Sequence, residues 1–318
     1  MKKLIGITLS IGNGKGIEKI LEILPKEYEL INLDSDADER LLDCEIVFGY
    51  VNMQVLAKST KLRWLHTQTA GVDYILNAKT PLADDVLLTN SSGCYGPVIS
   101  EHLLTTSLML LRDMGGYYKK QLNKTWEYQG GVRTIFGANV LVVGLGDIGS
   151  CFAKHCKNLG ANVTGIVRTS RPKPDYLDKL SLMSELDNEL LNADIVAICL
   201  PGTNETKGLF DTNRFKKMKS NSIILNVGRG NIIKTDDLIL ALKNGIIGGA
   251  GLDVVDPEPL PQSSELWHLP NVVITPHISG RDKMGITSQL IIEKFITNLK
   301  EYLQTSTIKN TINKNAGY

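Results

Sequence analysis

The stretch Asn139 to Gly149, NVLVVGLGDIG, limits what this chain can fold into more than any other. An unbroken apolar run suits a strand buried on both faces of a parallel sheet. The run ends in Gly144, Gly146 and Gly149, a GxGxxG pattern, and a helical stretch from Cys151 to Leu159 follows. Strand, glycine turn and helix in that order form the first half of a βαβ unit. Gly144 permits the tight turn, Gly146 lets a pyrophosphate approach the backbone, and Gly149 lets helix and strand pack closely. With Asp147 and Ile148 between them, these residues place the free N–H groups of a helix N-terminus where phosphates would lie. The bland alternative is a glycine-rich turn that binds nothing.

The same alternation extends along the chain. Lys3 to Leu9, Glu29 to Leu33, Ile46 to Gly49, Trp64 to Thr67 and Val86 to Thr89 read as strands, with a helix from Gly16 to Leu24. Ser91 to Pro97 is rich in turn formers and marks a boundary. One long helix is expected from about Val98 to Gln121, with Pro97 in its first turn. After Asn139 further strands are expected at 162–168, 193–201, 222–228, 248–254 and 271–277. A last helix from Lys283 to Gln304 carries Ile291, Ile292, Phe295, Ile296, Leu299 and Leu303 at helical spacing. The polar chain after Thr305 is expected to fray. Alternating strands and helices imply parallel sheets covered by helices.

Composition removes several function classes. The 318 residues suffice for about two domains. Lys and Arg total 35 against 34 Asp and Glu, so the basic excess of a nucleic-acid partner is missing. Five cysteines, an odd number with no CxxC, argue against a disulfide framework or a metal site. The start MKKLIGITLSIGNGKG is too short in apolar residues for a signal peptide, and no run reaches the roughly 20 residues that span a bilayer. A reducing, cytoplasmic setting without membrane contact is therefore expected.

The strand after the glycine turn indicates which dinucleotide is preferred. An acidic residue about 20 positions on would accept from a free ribose 2′-OH. Here Arg168 stands 19 residues after Gly149, followed by Thr169, Ser170 and Arg171. Guanidinium groups suit a 2′-phosphate instead. Only nine of the basic residues are arginines, so two in this loop carry weight. NADP is the expected cofactor, with NAD an open alternative; a solvated loop is the plain reading.

NVGRG (226–230), GLDVVDPEPL (251–260) and TPHISG (275–280) follow the glycine turn in order. With QTAGVD (68–73) and GPVISEHLL (96–104) they resemble the D-isomer-specific 2-hydroxyacid dehydrogenases over nearly the whole chain. The resemblance implies catalytic roles for Arg229, Glu258 and His277. It places Asp253 near the nicotinamide and Pro201 and Thr206 against the dinucleotide. It puts Ala70 and Gly71 over the substrate carboxylate and Tyr50 in the pocket wall. It also implies a Rossmann cofactor domain, residues 97–284, inserted into a flavodoxin-like substrate domain formed by 1–96 and 285–318, both doubly wound parallel-sheet units.

The chemistry suits those residue types on its own terms. Reduction of a 2-oxo acid needs a hydride, a proton for the developing alkoxide and a cation for the carboxylate. Arg229 offers a planar fork for the last of these. His277 is a proton donor near neutral pH, and Glu258 can orient it and favour its charged form. Two have a duller reading, His277 as a core histidine and Glu258 as a solvated loop residue between prolines, whereas Arg229 in a Gly-Arg-Gly loop has few structural uses. His66, His102, His155 and His268 lack motif context and are read as structural.

The activity expected is reduction of a small 2-oxo acid, such as glyoxylate or hydroxypyruvate, to the D-2-hydroxy acid. A phosphoglycerate dehydrogenase is the nearest alternative, and a non-catalytic dinucleotide-sensing corepressor comes from another class. A formate dehydrogenase would carry Gln at Glu258. The aromatic stretch Tyr117 to Phe136 is expected to form a homodimer interface.

Overall fold

The computed structural model describes residues 2–8, 14–128, 130–281 and 285–314. Two compact units are found: residues 1–95 with 282–318, and Gly96–Arg281.

In the first unit the order is β1 (Lys3–Thr8), α1 (Gly14–Ile23), β2 (Tyr28–Leu33), β3 (Cys44–Phe48), α2 (Met53–Leu56), β4 (Trp64–His66), α3 (Asp73–Leu76) and β5 (Leu87–Thr89). The strands form one sheet in the order β2-β1-β3-β4-β5. All pairs are parallel. This is the doubly wound 2-1-3-4-5 order of flavodoxin-like folds.

The second unit contains α4 (Gly96–Leu111), α5 (Met114–Leu122), β6 (Asn139–Val143), α6 (Asp147–Asn158), β7 (Asn162–Val167), β8 (Lys179–Leu182) and α7 (Leu186–Leu190). It continues through β9 (Ile195–Ile198), α8 (Thr212–Phe215), β10 (Ile223–Asn226), α9 (Thr235–Lys243), β11 (Gly249–Leu252) and β12 (Val272–Ile274). The chain then returns to the first unit as α10 (Ile286–Thr305). The seven-stranded sheet runs β12-β11-β10-β9-β6-β7-β8, all parallel. Counted from β6, its first six strands follow the dinucleotide-binding 3-2-1-4-5-6 order, and the winding reverses between β6 and β9.

Burial explains the elements. Every residue of β9, β10 and β11 is buried, because helices cover both faces of the sheet. On α6 the buried residues are Gly149, Phe152, Ala153 and Cys156, a helical stripe facing the sheet. In the first unit Phe295 of α10 stacks on Phe48 at 4.0 Å and on Trp64 at 5.2 Å.

Three expectations need correction. The single helix over 98–121 is two helices, α4 and α5. The break lies at Asp113, which sits at φ 50° and accepts from the Gly116 N–H at 3.2 Å. Aspartate tolerates the left-handed conformation and caps a new helix, so the apolar pattern runs on while the backbone stops. The helix after the glycine turn begins at Asp147, immediately after Gly146, rather than at Cys151. The segment after Thr305 does not fray over its described part. Ile308 is 5% exposed, the Ile312 N–H donates to the Leu88 carbonyl at 2.8 Å, and Lys314 donates to the Ala83 carbonyl at 2.6 Å. Leu9 and Lys283, expected ends of β1 and α10, lie outside the described residues.

Candidate active site

The glycine turn follows β6 at the point where the sheet order reverses. Gly144 has φ 98°, and a Cβ there would lie 2.7 Å from the Cys199 carbonyl oxygen. At Gly149 a Cβ would lie 2.0 Å from the Gly144 carbonyl oxygen. Protein packing therefore explains these two glycines. Gly146 differs, since a Cβ there would meet nothing within 4 Å. The space beside it is open, and no side chain caps the α6 N-terminus that it begins. Backbone stripped of side chains next to the N-terminus of a helix fits a pyrophosphate.

Beside this turn is a cavity of about 480 Å³ lined by Leu145, Gly146, Asp147, Lys154, Arg171 and Tyr176, among others. Arg168 and Thr169 are exposed just past β7. Arg171 donates from Nη2 to the Leu145 carbonyl at 2.8 Å, which anchors its loop to the glycine turn. Asp147 accepts from the Gly96 N–H at 2.7 Å, and Ile148 lies in the first turn of α6. Beyond β9, the Thr206 hydroxyl donates to the Pro201 carbonyl at 2.7 Å and accepts from the Thr203 N–H at 2.8 Å, so it braces the loop carrying Pro201.

Arg229, Glu258 and His277 follow β10, β11 and β12, three neighbouring strands of the sheet. Parallel strands deliver their following loops to one edge, which is how residues distant in sequence converge. Asn226, the last residue of β10, shapes the arginine turn. Its Nδ2 donates to the Arg229 carbonyl at 3.0 Å and its Oδ1 accepts from the Gly228 N–H at 3.0 Å. A Cβ at Gly230 would sit 1.9 Å from the Val255 carbonyl oxygen, so only glycine lets this turn lie against the loop after β11. Arg229 itself is half-buried and donates from Nη1 to the Gly228 carbonyl at 2.8 Å.

His277 Nδ1 lies 2.9 Å from Glu258 Oε2, and the other carboxylate oxygen accepts from the Val255 N–H at 3.1 Å. A carboxylate on Nδ1 keeps the proton there in the neutral ring and leaves Nε2 to exchange a proton with a reactant. His277 has φ 52°. Asp253 holds this loop. Its carboxylate accepts from the Thr275 hydroxyl at 2.6 Å, the Ile278 N–H at 2.9 Å and the Ser279 N–H at 3.0 Å. Its main-chain carbonyl accepts from the His277 N–H at 2.8 Å. Burial works to raise the Asp253 pKa, but the hydrogen bonds from Ser279, Thr275 and Ile278 prevail and hold it below the ordinary carboxylate value. His102 on α4 lies with Nε2 3.1 Å from the Thr275 hydroxyl oxygen. The threonine proton goes to Asp253, so His102 is the donor. Sequence reading missed this partner because 173 positions separate the pair.

In the first unit the Gln68–Asp73 loop is stiffened by hydroxyl contacts. Thr67 Oγ1 lies 2.8 Å from the Tyr74 hydroxyl, and Thr69 donates to the Gly71 carbonyl at 2.7 Å. Asn90 donates to the Ala70 carbonyl at 2.6 Å. The N–H groups of Ala70 and Gly71 make no hydrogen bond to any described residue and can receive an anion. Tyr50 is exposed and stacks on Tyr74 at 4.6 Å. Beneath the loop lies His66, fully buried, with Nδ1 2.6 Å from the Thr89 hydroxyl and Nε2 3.3 Å from that of Ser91. Burial, assisted by Lys294, pushes its pKa down to about 3.

Residues 104–279 match the family model described as D-isomer specific 2-hydroxyacid dehydrogenase, NAD binding domain. A glyoxylate/hydroxypyruvate reductase B of Citrobacter koseri is 32% identical over 281 residues, covering 83% of this chain and 82% of that protein. The crystal structure of a D-isomer specific 2-hydroxyacid dehydrogenase family protein from Aeromonas salmonicida superposes with a TM-score of 0.86 at 30% identity, over 98% of this chain and 99% of that one. A probable 2-hydroxyacid dehydrogenase from Rhizobium etli, solved with NADP, HEPES and L(+)-tartaric acid, gives a TM-score of 0.79 at 26% identity over the full length of both. The chain belongs to the D-isomer specific 2-hydroxyacid dehydrogenase family.

Proposed function

We propose that this protein reduces a small 2-oxo acid of the glyoxylate or hydroxypyruvate type to its D-2-hydroxy acid, with NADPH as the preferred reductant. The observation that carries the reading is the His277–Glu258 pair at 2.9 Å, on the loops after β12 and β11, the two strands that continue the sheet beyond β10 and its Arg229, in the sheet that also carries the glycine turn. Gly146 and the α6 N-terminus hold the dinucleotide's pyrophosphate, and Arg168 and Arg171 favour a 2′-phosphate. When bound, the reduced nicotinamide supplies the hydride.

The chain's own groups do the rest. Arg229 binds the substrate carboxylate and polarises the carbonyl beside it. As C2 gains the hydride, its oxygen gathers negative charge and takes the proton from His277 Nε2. Glu258 keeps the imidazole in place through its hydrogen bond to Nδ1. Asp253, with His102 behind Thr275, positions the histidine loop.

A homodimer through residues 117–136, the greater part of α5 and the segment after it, accompanies this reading. Trp126 is 102% exposed, Tyr128 79% and Phe136 75%. Three exposed large aromatics in one connecting segment support an interface that a second copy covers. Among the described residues no helix is long and apolar enough to cross a membrane. The five free thiols suit a reducing compartment such as the cytoplasm.

A panel of 2-oxo acids assayed with NADPH and NADH tests the proposal. Rapid NADPH oxidation with glyoxylate or hydroxypyruvate is expected. Tight dinucleotide binding without turnover on any 2-oxo acid would favour a sensing role instead.

A further inference from the structure

We infer that Lys154, on α6, is a specificity-determining residue that binds the 2′-phosphate of the dinucleotide inside the cavity it shares with Arg171. The inference rests on the NADP reading above and extends it from the loop after β7 to the helix facing it.

The cavity begins at the glycine turn, Leu145 and Gly146, and has two walls beyond it. One is a face of α6, with Asp147, Ser150, Cys151 and Lys154 at helical spacing; the other is the segment after β7, with Arg171, Pro172, Pro174 and Tyr176. Three of the side chains carry charge. Asp147 is occupied, since its carboxylate accepts from the Gly96 N–H at 2.7 Å. Arg171 gives one donor to the Leu145 carbonyl at 2.8 Å, which fixes its fork at the cavity edge. Lys154 makes no hydrogen bond or ion pair with any described residue, and its ammonium stands 5.2 Å from the centre of the Tyr176 ring. The ring holds the ammonium in a set direction without consuming its donors.

Two cations and a helix N-terminus against one carboxylate already engaged leave the cavity positive. A phosphate monoester carries close to two negative charges near neutral pH, with three acceptor oxygens. That charge matches Lys154 and Arg171 together, whereas a pyrophosphate lies over the glycine turn itself. Lysine acts here as a compact point charge with three donors.

The test uses fragments that cannot react. Adenosine 2′,5′-bisphosphate and 5′-AMP differ by the 2′-phosphate, and calorimetry gives both affinities. Wild type should bind the bisphosphate more tightly, and added salt should narrow the gap. Lys154→Met should weaken the bisphosphate about tenfold, the range of one partly exposed charge-assisted hydrogen bond, with 5′-AMP unchanged. Lys154→Arg should keep most of the preference. An unchanged bisphosphate affinity in Lys154→Met, or an equal loss on both ligands, overturns the inference. A wild type with no preference for the bisphosphate would instead overturn the NADP reading on which it stands.

Discussion

His277 holds a left-handed backbone angle, φ 52°, that only a few per cent of residues other than glycine adopt. It stays there because Asp253 takes three hydrogen bonds from its loop and offers its own carbonyl to the His277 N–H. His277→Ala should lower kcat by about 10²–10⁴-fold, the usual worth of a general acid. Coenzyme binding, followed by fluorescence titration, should survive, and near-normal turnover would remove the assignment. Arg229 could be read from its Gly-Arg-Gly setting, and the contact at Gly230 now gives the reason for the second glycine. His102 could not be read, because its helix signals nothing about a threonine on a distant loop. His66 shows the opposite case, a histidine expected to be structural that is fully buried, and its burial has a thermodynamic consequence. Its folded pKa of about 3 lies below the 6.5 of an exposed imidazole, so between those values the unfolded chain binds the extra proton. Its contribution to stability is therefore full above pH 6.5 and declines as the pH falls toward 3. At pH 5.5 the loss is about 1.4 kcal/mol. Urea midpoints at pH 7.5 and 5.5 should diverge more for wild type than for His66→Gln; equal divergence would exclude His66 as the source.

The legible elements were those whose apolar runs are buried on both faces, such as β9 (IVAI) and β10 (IILN). β8 (KLSL) escaped notice because it is a sheet edge, with only Ser181 buried and two residues exposed. The four-residue helices α2 and α3 are too short to show a period. The tail after α10 was misread because a few apolar residues among polar ones give no pattern, yet Ile308 joins the core around Phe295 and Ile312 packs beside Leu88. Ile308→Ala should destabilise the protein by about 2–4 kcal/mol, as for other buried isoleucines. A melting temperature equal to wild type would show that the tail contributes nothing. At the end of β7, Arg168→Asp should lower kcat/KM for NADPH and raise it for NADH, since a carboxylate repels a 2′-phosphate and accepts from a free 2′-OH. Steady-state kinetics with both coenzymes decide this, and a wild type that prefers NADH would place the arginines in a solvent role.

At the scale of the whole molecule, the exposed aromatics after α5 predict the mass in solution. Light scattering at micromolar concentration should give twice 35.0 kDa. Trp126→Asp together with Tyr128→Asp should shift the mass toward one chain; a wild type already monomeric would exclude the dimer. The division of the chain also sets an order of events during synthesis. Gly96–Arg281 contains all seven strands of its sheet and is complete when its last residue leaves the ribosome. The other unit has made its five strands much earlier, yet it lacks α10, whose Phe295 stacks on Phe48 and Trp64. At 5–20 residues per second, translating the intervening segment takes about 10–40 s. For that interval the face of the first-made sheet that carries Phe48 and Trp64 is covered by α1 but not yet by α10. Stalled nascent chains should therefore gain protease resistance in the middle of the sequence first, while the N-terminal strands remain a substrate for chaperones until the final helix is released.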